Sequence, residues 1–315
     1  MDDKTNQQQA QDWDVVVVGG GAAGLSAALM LGRARRRTLV IDAGHPRNRY
    51  AAHMHGVLGH EGLDPAELLR RGRAEVAEYG VRVRAGRVDA VTDLPGGLRV
   101  SLDDGEDVSA RALVVATGLT DRLPEVPGLA ERWGISVLHC PYCHGWEVRD
   151  QRLGVLATGP LSLHQAQLVR QWSDDLTLFT AAIEPLGDEV EQRLRGRGVR
   201  LVREPVVEVL GEGTALSGVR LGDGSVVELD AIFTGGTLVP HDGFLAGLDL
   251  ARSENAMGSY LAVDGVGQTG HPRIWAVGNV VNPGANVPLS IGAGAMTGSV
   301  VNMMLVTEEF DAATA

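Results

Sequence analysis

The chain reads as an α/β protein with two Rossmann-like nucleotide-binding units. Three observations predict it. Residues 14–18 read as a strand in which Val15–Val18 are an unbroken β-branched run, the pattern of a strand buried on both faces of a parallel sheet. The run leads directly into a glycine-rich turn, Gly19-Gly20-Gly21-Ala22-Ala23-Gly24, and then into an Ala/Leu-rich helix over 25–35. The same order of strand, turn and helix restarts at 152–157, with a helix over 163–172 and a strand over 176–179. A length of 315 residues fits about two domains.

Within the first unit, Thr38-Leu39-Val40-Ile41 is the second strand and Asp42 ends it. A G-x-G-x-x-G turn between strand and helix, with an acid after the next strand, fits a dinucleotide. Gly19 permits the tight turn, Gly21 lets backbone approach a pyrophosphate, and Gly24 lets helix pack on strand. The helix start offers free N–H groups and a positive dipole end, and Asp42 can accept ribose hydroxyls.

Residues 43–61 are rich in His, Arg and Gly. His53 and His55 have a spacing a metal could use. Without a Cys or carboxylate in register they read as hydrogen-bonding loop residues, and no metal is assigned. An amphipathic helix is predicted over 65–79, half-exposed strands over 81–88 and 98–102, and a buried strand over 112–116 closed by Thr117-Gly118. A Pro/Gly-punctuated link from Thr120 marks a domain boundary. After 179 a β-rich stretch runs to 231–234, and 235–240 reads as the return crossing. A strand over 260–264 precedes a strand and glycine turn over 274–279 and a loop over 284–287. A small-residue helix follows over 290–305, and 307–315 reads as a frayed tail.

Net charge is −12 and pI about 5.2, which argues against nucleic acid or an anionic membrane as partner. Two cysteines are too few for a secreted disulfide framework. Residues 1–11 are polar and lack the layout of a signal peptide. No unbroken apolar run reaches the roughly 18 residues that span a bilayer. A soluble cytoplasmic protein is the expectation.

The two cysteines stand together in Cys140-Pro141-Tyr142-Cys143-His144. So close a pair makes a small, reversible disulfide. Three chemistries use the spacing. Haem attachment needs an export route and axial ligands, neither of which is visible. Zinc would need His139 and His144 to complete four ligands in a strained arrangement. Two-electron thiol exchange needs only the pair and a proton acceptor, and His144 titrates in the right range. Glu147 could orient His144 at i, i+3 spacing if a helix has begun, and His139 is a second, weaker base.

Together, the Gly19-x-Gly21-x-x-Gly24 turn with Asp42, Ala116-Thr117-Gly118, the C-x-x-C and the late Ala276-Val277-Gly278-Asn279 resemble the low-molecular-weight thioredoxin reductases, FAD-dependent disulfide oxidoreductases. The resemblance covers nearly the whole chain. It implies a discontinuous FAD domain, 12–119 and 242–315, with a pyridine-nucleotide domain inserted over 120–241, and a homodimer. FAD would lie against Gly19, Gly21, Ala22, Ala23, Gly24, Asp42, Ala43, Arg47, Asn48, His55, Val88, Ala116, Thr117, Gly118, Gly278, Asn279, Val287 and Leu289. Cys140 would be the exchange thiol and Cys143 the flavin-proximal sulfur.

The departures from that family carry information. Its second glycine turn is here Ala157-Thr158-Gly159-Pro160-Leu161-Ser162, and Pro160 lacks an N–H that a phosphate would use. Thr180-Ala181-Ala182 stand where the family has a basic cluster for NADPH. His144 replaces an acid, and Asn279 an Asp. The combination is similar to a branch of dithiol oxidases that close the disulfides of natural products such as gliotoxin, holomycin and romidepsin. It implies a small-molecule dithiol substrate, with Tyr142 and Trp146 able to line its pocket, and electrons passing through Cys140–Cys143 to FAD and then to O₂, giving H₂O₂. A disulfide reductase supplied by NADPH, ferredoxin or another donor, and a non-catalytic flavoprotein or redox sensor, are the alternatives.

Overall fold

The structure is a computed structural model that describes residues 13–314. The polar stretch 1–11, read above as no signal peptide, lies outside the described residues. The chain divides into two compact units. One comprises Met1–Arg47, Ala66–Thr120 and Leu238–Ala315, the other Asn48–Pro65 and Asp121–Thr237. The sequence reading placed 48–65 in the first unit, and the structure places it in the second. Residue pattern alone cannot register this, because the segment carries no strand or helix of its own.

The first unit begins with β1 (Trp13–Val18), α1 (Ala22–Arg33) and β2 (Thr38–Asp42), followed by α2 (Pro65–Glu78) and β3 (Arg82–Ala85). β4 (Val88–Leu94), β5 (Gly97–Leu102) and β6 (Asp107–Val115) form an antiparallel meander. The strand order is β3-β2-β1-β6-β5-β4, and β1 runs parallel to both β2 and β6. Val15, Val16 and Val17 are fully buried. Val15 and Val17 enter one core cluster, Val16 and Val18 the other, because successive side chains point to opposite faces. Burying each such side chain contributes about 1.5–3 kcal/mol.

After β7 (Leu119–Arg122) the second unit adds β8 (Val137–Leu138), α3 (Pro141–His144), β9 (Leu153–Leu156), α4 (Leu161–Val169) and β10 (Leu176–Phe179). α5 (Asp188–Gly196) comes next; the sequence reading passed over it as part of a β-rich stretch. Its first turn holds Asp188, Glu189 and Glu191 and its last Arg193 and Arg195, charges that suit the helix dipole, with Leu194 as its buried residue. β11 (Arg200–Val202) then joins a parallel sheet in the order β11-β10-β9-β15-β8, where β15 is Ala231–Thr234. Between them β12 (Val206–Leu210), β13 (Gly218–Leu221) and β14 (Val226–Glu228) form an antiparallel sheet.

β16 (Thr237–Pro240), β17 (Arg252–Asn255) and β18 (Gly258–Leu261) return the chain to the first unit, where β19 (Ile274–Ala276) pairs in parallel with β6. α6 (Val287–Ala312) is longer than the small-residue pattern indicated and takes in 307–312 of the stretch read as a tail. Ion pairs fix its last turns: Glu309 to Arg36 and Arg111, and Glu308 to Arg111 and Arg273. By length and composition α6 also qualifies as a membrane-crossing helix. A search for an unbroken apolar run misses it, because Gly, Ser, Thr and Asn interrupt the run. Those residues set its packing on α1: a Cβ on Gly294 would lie 2.1 Å from the Ala23 carbonyl oxygen, and one on Gly298 2.6 Å from that of Ala27.

Candidate functional site

The first unit ends β1 in a cradle of close backbone contacts. Gly19 has φ +108°, and a Cβ on it would sit 2.3 Å from the Ala116 carbonyl oxygen. A Cβ on Gly24 would sit 1.9 Å from the Gly19 carbonyl oxygen, so only glycine fits. Gly21 caps α1 with no side-chain partner, and nothing lies within 4 Å of where its Cβ would be. The helix start is therefore open for an anion. Gly20, which sequence reasoning did not single out, donates its N–H to Asp42 Oδ1 at 3.1 Å. Asp42 also accepts from Arg73 Nη2 at 2.7 Å. Arg73 lies on α2, and no sequence signal links it to Asp42. Asp42, Ala43, Gly44, Arg73, Ala85 and Gly86 line a cleft of about 480 Å³.

The remaining residues named for this site have mixed placements. Ala22 and Ala23 form the first turn of α1. Thr117 Oγ1 donates to the His241 carbonyl at 2.7 Å, and Gly118 takes φ +70°. Arg47 Nη1 donates to the Pro283 carbonyl at 2.9 Å. The Val88 side chain is buried in a core cluster. Gly278 turns at φ +79°, and Asn286 caps α6 by accepting the Leu289 N–H, just past Val287. The Asn279 amide donates to the carbonyls of Asn282, Pro283 and Ala285 at 3.0, 3.4 and 2.8 Å. A carboxylate could not donate to any of them, which gives the Asn a physical reason. Asn48 and His55 belong to the second unit.

In the second unit β8 delivers His139 and Cys140 to the carboxyl edge of the sheet. Cys140 caps α3, a single turn, and its carbonyl accepts the N–H of Cys143 at 3.1 Å and of His144 at 3.2 Å. The two cysteines are disulfide-bonded, with Cα atoms 5.2 Å apart. Tyr142 and Trp146 stay 72% and 65% exposed beside them, and Tyr142 packs edge-on to Trp172. α3 ends at His144, so Glu147 stands beyond the helix and the i, i+3 argument fails. Its carboxylate instead lies 3.4 Å from His55 Nε2. Burial pushes the His144 imidazole below the ordinary histidine range. Glu147 opposes that shift, and the nearby His55 and His139 add to it. The shift favours the neutral imidazole, the form that has a free nitrogen lone pair to accept a proton. His139 contacts the Thr234 carbonyl through Nδ1 at 3.3 Å.

His53 and His55 do not converge on one point. His53 Nδ1 contacts the Gly62 carbonyl at 3.1 Å, and His55 Nδ1 contacts Glu61 at 2.6 Å. Among the described residues no cluster of three or more His, Cys, Asp or Glu is arranged to hold a metal.

The second glycine turn is closed by its own side chains. Ser162 Oγ accepts the Thr158 N–H at 3.1 Å, and Pro160 stands at the start of α4. At the end of β10, the Thr180 hydroxyl donates to Glu184. Arg203, just past β11, pairs with Glu184 and Glu191.

The profile of the pyridine nucleotide-disulphide oxidoreductases matches residues 13–304. The chain belongs to this family. It is 30% identical to "Thioredoxin reductase tcpT" of Claviceps purpurea, over 94% of this chain and 95% of that protein. It is also 30% identical to "Thioredoxin reductase sirT" of Leptosphaeria maculans, over 92% and 93%. Among solved structures, HlmI superposes with a TM-score of 0.92 at 44% identity, covering 98% of this chain and 96% of that one. An oxidoreductase from Agrobacterium tumefaciens gives 0.89 at 38%, covering 94% and 99%. This chain is therefore an oxidoreductase of disulfide chemistry with the thioredoxin reductase-like fold.

Proposed function

We propose that the chain is an FAD-dependent oxidase that converts a small-molecule dithiol to its disulfide. One observation carries the reading: a Cys140–Cys143 disulfide followed directly by the half-buried His144, in a unit whose own nucleotide turn is closed. The cradle of Gly19, Gly21 and Gly24 with Asp42 suits the pyrophosphate and ribose of FAD. When bound, FAD supplies two-electron acceptance from thiols and reoxidation by O₂ to H₂O₂.

The chain's own residues do the sulfur chemistry. One substrate thiol gives its proton to His144, and its sulfur bonds to Cys140 Sγ as the Cys140–Cys143 bond breaks. Cys143 leaves as thiolate with the electron pair. The second substrate thiol loses its proton and bonds to the first sulfur, and Cys140 leaves as thiolate. The substrate has then lost two electrons and two protons.

Anaerobic mixing of the purified protein with a small dithiol, and separately with NADPH, tests the reading through flavin bleaching. Bleaching by dithiol, then reoxidation by air with H₂O₂ release, is the expected result. Fast bleaching by NADPH would instead support a reductase, the activity in the names of tcpT and sirT. Cys143→Ser should retain FAD and lose dithiol-driven bleaching; a fully active Cys143→Ser sinks the assignment of that sulfur.

A further inference from the structure

The cleft beside the first glycine turn holds a charged pair, Asp42 at the end of β2 and Arg73 on α2, 2.7 Å apart. We propose that Arg73 determines specificity for the adenosine half of FAD: the pair presents a hydrogen-bond acceptor and a donor side by side, and reads the two neighbouring ribose hydroxyls with one each. This rests on the FAD cofactor of the function proposed above.

Among the described residues three donors already occupy the Asp42 carboxylate. Its Oδ1 accepts the N–H groups of Gly20 at 3.1 Å and Gly44 at 3.2 Å, and its Oδ2 accepts Arg73 Nη2. A carboxylate has about four lone-pair sites, so Oδ2 has room for one more donor. Asp42 by itself can therefore grip one ribose hydroxyl. A ribose offers two, on adjacent carbons, and a hydroxyl can donate or accept. The guanidinium has several N–H donors, and its bond to Asp42 uses one of them. The second hydroxyl finds its donor in Arg73.

The fold sets Arg73 there. Leu69, Gly72 and Val76 form the inward stripe of α2: Leu69 and Val76 are buried, and a Cβ on Gly72 would lie 3.1 Å from Leu25 Cδ1. Arg73 stands at the edge of that stripe. Arg70 and Arg71 both pair with Glu67 of the same helix, whereas Arg73 crosses to β2. Its side chain is 38% exposed against 17% for Asp42, so the guanidinium stays open to a ligand in the cleft. Asp42 is held from two sides: its carbonyl accepts the Gly86 N–H at 3.1 Å, and a Cβ on Gly20 would lie 2.7 Å from its Cγ. The acceptor and the donor are therefore in place before a nucleotide arrives. Arg87, which also lines the cleft, pairs with Asp89.

The test is calorimetric titration of the flavin-stripped, full-length chain with ADP, 2′-deoxy-ADP and 3′-deoxy-ADP. Wild type should bind each deoxy compound about tenfold more weakly than ADP, the worth of one charge-assisted hydrogen bond. Arg73→Met keeps the length of the side chain and removes its donors. It should bring one of the two ratios to within about twofold and leave the other near tenfold. Arg73→Lys, which keeps a charged donor, should restore most of the lost ratio. Each ratio is taken within one protein, so a smaller folded fraction does not alter it. Ratios unchanged in Arg73→Met overturn the inference. So do two ratios that collapse together, which would mean that Arg73 only holds Asp42 in place, and so does equal binding of the three nucleotides by wild type. Any of these in a chain that takes up FAD leaves the cofactor reading standing. A wild type that takes up neither FAD nor ADP overturns both.

Discussion

The β1–α1 turn and the β9–α4 turn occupy the same place in their two sheets and differ in where their N–H groups go. In the first, Gly21 leaves the helix start open and Gly20 donates to Asp42. In the second, Thr158 donates to Ser162 and Pro160 has nothing to donate. β2 ends in Asp42, paired to Arg73. Beyond β10 stands Thr180, bonded to Glu184, with Arg203 already neutralised. The same chain therefore leaves one turn's helix start open and ties the other's N–H to its own side chain, a difference in the turns that the shared strand–turn–helix arrangement does not dictate.

The largest effect should come from matched glycine replacements. Gly24→Ala puts a Cβ where the Gly19 carbonyl oxygen stands, and should abolish FAD retention, read as the flavin-to-protein absorbance ratio. Gly159→Ala meets nothing within 4 Å and should change stability by less than about 0.5 kcal/mol. Equal FAD loss in both variants would break the comparison.

A smaller effect should follow from reopening the second turn. A181R/A182R alone should bind NADPH poorly in calorimetry, because Thr158 stays tied to Ser162. Adding P160A and S162A should tighten binding by roughly tenfold, about the worth of one charge-assisted hydrogen bond. No difference between the two variants would mean that the closed turn is not what excludes the nucleotide.

The smallest effect is Ser162→Ala by itself. Losing the Thr158 partner should cost about 1 kcal/mol and lower the thermal midpoint by about 3 °C. A rise in the midpoint would show that the bond does not stabilise the turn.

Much of the site is legible in the sequence because its signals are local. The β-branched run 15–18, the glycine spacing and Asp42 lie within one strand–helix–strand unit, and the two cysteines are neighbours. The C-P-Y-C-H stretch marks His144 directly. By contrast, α5 was hidden by its charge, with Leu194 its one buried residue. The end of α6 was hidden because Glu308 and Glu309 read as tail until Arg36, Arg111 and Arg273 were seen to hold them. Arg73 facing Asp42 left no pattern at all.

By itself the sequence determined the two strand–turn–helix units, the first glycine turn and the neighbouring cysteines, while the absent basic cluster is legible only against the family the chain resembles. These follow from backbone sterics and from which side chains are present. Tertiary structure decided the surroundings of the pair. It brought 48–65 into the second unit, put His55 between Glu61 and Glu147, and took Glu147 out of a helix that ends at His144. Contacts between segments far apart in the chain depend on which surfaces pack together, and no local periodicity records that.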